Sequence, residues 1–164
     1  MGTAPNLATD APMVAIAAKM TAKQLRAASS KKKQAGNDEP KTILLILEDF
    51  DDIRAFLVRH FDQRGYEVYS SATLRDALVI AWEQAPRVIL IDSDLRGETA
   101  IHAIQRLHEA LPESYIVLVG GPQTLEVTER TILAGANKVL SKSYAISEMD
   151  YIVSSAVSIA MHDD

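Results

Sequence analysis

The sequence predicts an α/β fold, a doubly wound five-stranded parallel sheet of (βα)5 order, and three observations carry that prediction. From Lys41 onward a short apolar run followed by a stretch of helical period recurs five times, the alternation that builds a parallel sheet with helices on both faces. The third run, residues 88–91, is apolar at every position, as a strand buried on both faces requires. The chain has 164 residues, 48% hydrophobic and 24% charged, enough for one domain that buries roughly 70% of its unfolded surface.

The first strand is residues 42–47. Residues 51–64 follow as a helix, because Ile53, Phe56, Leu57, His60 and Phe61 recur at helical spacing and Gly65 closes it. Residues 66–70 alternate in polarity and read as an edge strand, and 73–82 as its helix with Leu74, Ala77, Leu78, Ala81 and Trp82 inward. After the third strand, Ile101, Ile104, Leu107, His108 and Leu111 mark the third helix. The fourth strand, 115–119, is broken by Gly120, Gly121 and Pro122, and the helix over 124–134 ends at Gly135. A short fifth strand, 138–141, precedes a last helix over 146–161 with Met149, Ile152, Val153, Ala156 and Ala160 on its buried face.

Composition excludes several classes. Without cysteine there is no disulfide framework, thiolate metal site, iron–sulfur cluster or cysteine nucleophile, which fits a cytoplasmic location. No apolar run approaches the roughly 18–20 residues of a membrane span. The net charge of −5 is unevenly spread: residues 1–41 carry seven Lys/Arg against three acids (+4), residues 42–164 ten against nineteen (−9). Such an acidic body disfavours nucleic acid, whose binding rests on cation-to-phosphate contacts, and suits holding a cation. We therefore divide the chain into a basic, Ala-rich arm and linker, 1–40, and a domain, 41–164. Within the arm, 29–40 is polar linker containing Lys31, Lys32 and Lys33. Residues 12–27 carry a thin apolar stripe that reads as nascent helix, with a docking helix as the alternative.

Open parallel sheets place their ligand sites at the carboxyl ends of the strands. There the first strand ends in Glu48 and Asp49, the third in Asp92, the fourth in Gly120 and Gly121, and the fifth in Ser141 and Lys142. Three carboxylates converging from neighbouring strands are costly without a counter-charge. Mg²⁺ would supply it, taking carboxylates, waters and phosphate oxygens, and so points to phosphoryl transfer. Asp92 is then the candidate nucleophile, and Lys142 the group that neutralises a phosphoryl oxygen or pairs with an acid. Asp51 and Asp52 read as solvated first-turn acids, and Arg96 as a solvated or partner-contacting loop residue. Asp94 reads either as a contact near the site or as a loop acid. None of the four histidines forms a ligand set.

The runs ILLILEDFDDIR at the first strand and helix, RVILIDSDLRG at the third strand and AGANKVLSKSY around the fifth, in that order and spacing, make residues 42–161 resemble a receiver domain of the two-component response-regulator family, a flavodoxin-like fold. The resemblance implies that Asp92 accepts a phosphoryl group from a phosphohistidine on a sensor histidine kinase or histidine phosphotransfer protein. It also implies that Glu48, Asp49, Asp92 and the main-chain carbonyl of Asp94 hold Mg²⁺, and that Lys142 contacts the phosphoryl group. Four positions depart from the pattern. The Ser/Thr at the end of the fourth strand falls on Gly120, the aromatic switch position is Val139, and the usual prolines are replaced by Arg96 and Ser143. A hydrogen bond from that missing hydroxyl to a charged group would be worth about 1.5–3 kcal/mol, so the usual relay is altered.

The leading expectation is a single-domain response regulator that catalyses its own Mg²⁺-dependent phosphorylation and slow dephosphorylation, with no dedicated enzyme activity. No output domain follows the last helix before Asp164, so output is expected through an unidentified downstream protein, a homodimer being left open. Two alternatives stand beside it. One is a phosphorylation-independent receiver-like interaction domain, for which Gly120 and Val139 argue. The other is a phosphohydrolase resembling the haloacid dehalogenase superfamily, suggested by the Asp92-x-Asp94 pair but lacking the threonine and cap that superfamily uses.

Overall fold

A computed structural model describes residues 40–121, 124–141 and 146–160. The arm below Pro40, together with Pro122, Lys142, Ser143 and His162, lies outside the described residues. Ten elements alternate: β1 (Ile43–Leu47), α1 (Asp51–Asp62), β2 (Glu67–Ser71), α2 (Leu74–Gln84), β3 (Val88–Asp92), α3 (Ala100–Ala110), β4 (Tyr115–Val119), α4 (Leu125–Leu133), β5 (Lys138–Leu140) and α5 (Ile146–Ala160). The strands form one parallel sheet in the order β2-β1-β3-β4-β5. The order reverses at β1, so its carboxyl end and that of β3 border the crevice where such sheets take ligands. The alternating strand predicted at the edge is the edge strand β2.

The period of two in each strand divides the core. Leu44, Ile46, Val88, Leu90 and Val117 share one cluster with Phe61 of α1 and Met149, Ile152, Val153 and Ala156 of α5. Leu45, Leu47, Ile89, Ile91, Ile116 and Leu118 are equally buried and face the other way, where α2 and α3 pack with Ala77, Ile80, Ala81, Ala103, Ile104 and Leu107. Three helices start on threonine caps. Thr73, Thr99 and Thr124 each accept a hydrogen bond from the main-chain N–H three residues on, at 3.2 Å, a contact worth about 1 kcal/mol apiece. The short β5 is tied to β4 by Asn137, whose Oδ1 accepts from Ile116 N–H at 2.8 Å while its own N–H donates to Ile116 O at 2.8 Å. Gly135 lets the turn after α4 approach α3, for a Cβ there would lie 2.5 Å from His108 Cγ.

One inward assignment is corrected. Trp82 is 84% exposed, because α2 lays its small residues Ala77 and Ala81, with Ile80, against the sheet and turns position 82 outward. Ile53 and Phe56 are 44% and 48% exposed. They border a cavity of about 270 Å³ between the first turns of α1 and α5, while Phe61, nearer the end of α1, fills the core. Element ends also shift by one to two residues: α1 ends at Asp62 rather than 64, and β5 at Leu140 rather than 141. His60, predicted at the core edge, lies 2.6 Å from Asp150 Oδ1 through Nε2, and Arg64 lies 3.1 Å from Asp150, so α1 and α5 are joined by polar contacts as well as by apolar packing.

Candidate functional site

The site begins with strand register. Leu47 of β1 is opposite Ile91 of β3, so the next residues, Glu48 and Asp92, leave the sheet side by side, with Asp49 one position further. Glu48, Asp49 and Asp92 are 4%, 7% and 4% exposed. One carboxylate oxygen from each lies within 4.8 Å of the others. At such a separation, and an effective dielectric of about 20, each ionised pair repels by about 3 kcal/mol, so the cluster is held together against its own charge.

The chain holds it locally. Glu48 Oε1 accepts from Phe50 N–H at 2.9 Å, and the Glu48 carbonyl accepts from Arg54 NH1 at 2.8 Å, so the first turn of α1 fixes the end of β1. Asp92 Oδ2 accepts from Asp94 N–H at 3.2 Å. Asp49 Oδ2 accepts from both the main-chain N–H and Nε of Arg96, at 2.8 and 2.9 Å. Burial acts to raise the Asp49 pKa, but the Arg96 hydrogen bonds and charge outweigh it and hold the carboxyl below its usual value. Asp49 Oδ1 is buried without a hydrogen-bond donor among the described residues. Three converging carboxylates, one with a buried oxygen that has no donor among the described residues, are a donor set suited to a hard, oxygen-seeking divalent cation. Glu48, Asp49 and Asp92 are the residues that would hold it.

Asp94 is exposed in the loop after β3. Gly120 is buried just past β4, with φ of 116° and its N–H donating to Leu140 O at 2.7 Å. Val139 is half-buried in the middle of β5, opposite Leu118. Lys142 is outside the described residues, so its contacts with the cluster are an expectation only. Asp51 and Asp52 are exposed, as expected for first-turn acids. Sequence reasoning missed Arg96 as the partner of Asp49. The signal was available, since loops leaving adjacent parallel strands run side by side and position 96 is four residues beyond Asp92. It also missed Ser93, whose Oγ is buried without a partner among the described residues and lies 3.5 Å from where a Cβ on Gly121 would sit.

A profile of the response regulator receiver domain matches residues 44–154. Among curated proteins, the chain is similar to the photosynthetic apparatus regulatory protein RegA of Rhodovulum sulfidophilum, 26% identical over 99 residues, 60% of this chain and 54% of that protein. The chain therefore spans about half the length of that regulator. It is also similar to sporulation initiation phosphotransferase F of Bacillus subtilis, 24% identical over 65% of this chain and 86% of that protein. Among solved structures, a CheY-like response regulator receiver domain protein from Methanospirillum hungatei superposes with a TM-score of 0.72 at 19% identity, covering 76% of this chain and all of that one. That likeness shows the fold.

Proposed function

The chain belongs to the response regulator receiver domain family, and from that premise we propose that it accepts a phosphoryl group on Asp92 from a phosphohistidine donor, in a Mg²⁺-dependent reaction, and signals through protein contacts. The observation that carries this reading is the buried convergence of Glu48, Asp49 and Asp92 at the carboxyl ends of two adjacent strands. Receiver domains interact with histidine kinases and phosphotransfer proteins, and we take a protein of that kind as the donor here. Among the described residues no helix is long and apolar enough to cross a membrane, which is compatible with a cytoplasmic partner.

In the proposed reaction a carboxylate oxygen of Asp92 attacks the phosphorus. The P–N bond to the donor imidazole breaks, and its electron pair leaves with the imidazole, giving an acyl phosphate on Asp92. The Asp94 N–H, donating to Asp92 Oδ2, orients the carboxylate. Glu48, Asp49 and Asp92 would ligate Mg²⁺, with the Asp94 carbonyl as a further ligand, and Lys142 would meet a phosphoryl oxygen. Bound Mg²⁺ supplies charge neutralisation for the incoming phosphoryl oxygens.

Incubation with acetyl phosphate and Mg²⁺ followed by intact-mass measurement tests the reading. One phosphate adduct is expected, lost in Asp92→Asn and in chelator. Folded protein that binds Mg²⁺ yet takes up no phosphate would instead favour a phosphorylation-independent interaction domain, the reading that the glycine at position 120 supports.

A further inference from the structure

An arginine stands four residues after Asp92 and returns to the acid cluster. Its main-chain N–H and Nε donate to Asp49 Oδ2, its NH2 donates to the Asp49 carbonyl at 3.2 Å, and its guanidinium carbon lies 5.3 Å from the centroid of the Phe50 ring. Contacts to two successive residues fix the planar guanidinium in one orientation, and the ring face adds cation–π attraction. The Asp49 side chain is 6% exposed and that of Arg96 73%, so the acid is held inside while its cation sits at the rim with solvent on its outer side.

We propose that Arg96 is a built-in counter-cation for Asp49 that stabilises the metal-free cluster, opposes entry of a divalent cation and thereby sets the metal affinity of the domain. The inference rests on reading Glu48, Asp49 and Asp92 as Mg²⁺ ligands. Asp49 Oδ2 already serves two donors, while Oδ1 is buried with none among the described residues. A cation taking Oδ1 must therefore settle beside a fixed positive charge on the same carboxylate. Linkage makes the opposition reciprocal: whatever Arg96 subtracts from Mg²⁺ binding, Mg²⁺ subtracts from the Arg96 contact. The domain then fills with metal at a higher Mg²⁺ concentration than its three acids alone would require.

Calorimetric titration of the full chain with MgCl₂, and melting in chelator, test this in wild type, Arg96→Ala, Arg96→Gln, Arg96→Lys and Arg75→Ala. Arg75 lines the same cleft as Arg96 and carries the same charge, so its removal controls for a general loss of positive potential. Arg96→Ala and Arg96→Gln are expected to bind Mg²⁺ about three- to tenfold tighter than wild type, the range one ordinary net hydrogen bond supplies, because solvent screens a cation whose side chain is 73% exposed. Arg96→Lys should fall between, Arg75→Ala should stay within about twofold of wild type, and Arg96→Ala should melt lower in chelator. If Arg96→Ala does not fold, Arg96→Gln, which keeps the polar stem without charge, decides. Unchanged or weaker Mg²⁺ binding in the uncharged variants overturns the proposal while leaving the metal site intact, as does an equal gain in Arg75→Ala. Binding seen in the uncharged variants alone supports it. No binding in any form overturns the ligand reading, and this inference with it.

Discussion

Gly120 shows that a departure from a family pattern can be a matter of backbone as well as side chain. By the receiver resemblance it stands where a hydroxyl is expected, and its φ of 116° is in a region that L-residues reach only at a cost of about 1–2 kcal/mol. Its N–H is committed to Leu140 O at 2.7 Å, which holds that conformation against the end of β5. Restoring the hydroxyl therefore means straining or rebuilding the end of β4. Gly120→Ser is expected to lower the unfolding free energy by about 1–2 kcal/mol in a urea titration and to leave Asp92 able to take up phosphate from acetyl phosphate. A variant as stable as the parent would mean that the chain relaxes to an ordinary φ, and that the glycine is a sequence choice without a backbone cause. The identity of the residue at 120 was legible by spacing; its conformation was not, because φ there is set by the contact with β5, far off in sequence.

At the scale of elements, periodicity was a reliable guide to which segments are helices and a weaker one to how each is rotated. The stripe of α2 read from sequence included both Ala81 and Trp82, which are 100° apart on a helix. The sheet accepts the smaller residue because the α2–sheet distance is set by Ala77 and Ala81. In α1 the stripe puts Phe61 in the core, while Ile53 and Phe56 are partly exposed and lie toward the carboxyl end of the sheet, beside a cavity. The join between α1 and β2 carries its own pH dependence. Tyr66 packs edge-on against Phe61, with ring centroids 5.8 Å apart. Burial, reinforced by the Asp150 charge and partly offset by Arg64, raises its pKa above the usual 10.0. The folded chain thus holds the phenol proton more tightly than the unfolded chain. That contribution is complete below the unfolded pKa and disappears as pH rises through the higher folded value. Wild type is expected to lose stability more steeply above about pH 10 than Tyr66→Phe, in urea titrations run from neutral to alkaline pH. Parallel alkaline limbs would show that Tyr66 titrates alike in both states.

For the whole molecule, the parallel sheet and the end of it where a site is sought followed from the alternation of elements, since a βα repeat in a parallel sheet leaves few topologies and puts ligand sites at the carboxyl ends of the strands. What the alternation cannot supply is the balance of charge inside that end. Counting residues gave the three acids, and only the packed loops reveal that Arg96 answers one of them. Three buried carboxylates within 4.8 Å imply that the metal-free fold carries repulsion which the proposed function would use and stability does not need. Removing one acid should therefore separate the two. In chelator, Asp92→Asn is expected to be more stable than wild type by about 1–2 kcal/mol, a fraction of the pairwise repulsion after solvent screening. With Mg²⁺ at a hundredfold excess over its dissociation constant, wild type should gain about 2.7 kcal/mol, whereas Asp92→Asn, short of one ligand, should gain less at the same concentration. The two denaturation midpoints are thus expected to converge, or to exchange order, as Mg²⁺ is added. A loss of stability for Asp92→Asn in chelator would mean that hydrogen bonding to this carboxylate outweighs its repulsion from Glu48 and Asp49, and that the end of the sheet is built to hold its charge without metal.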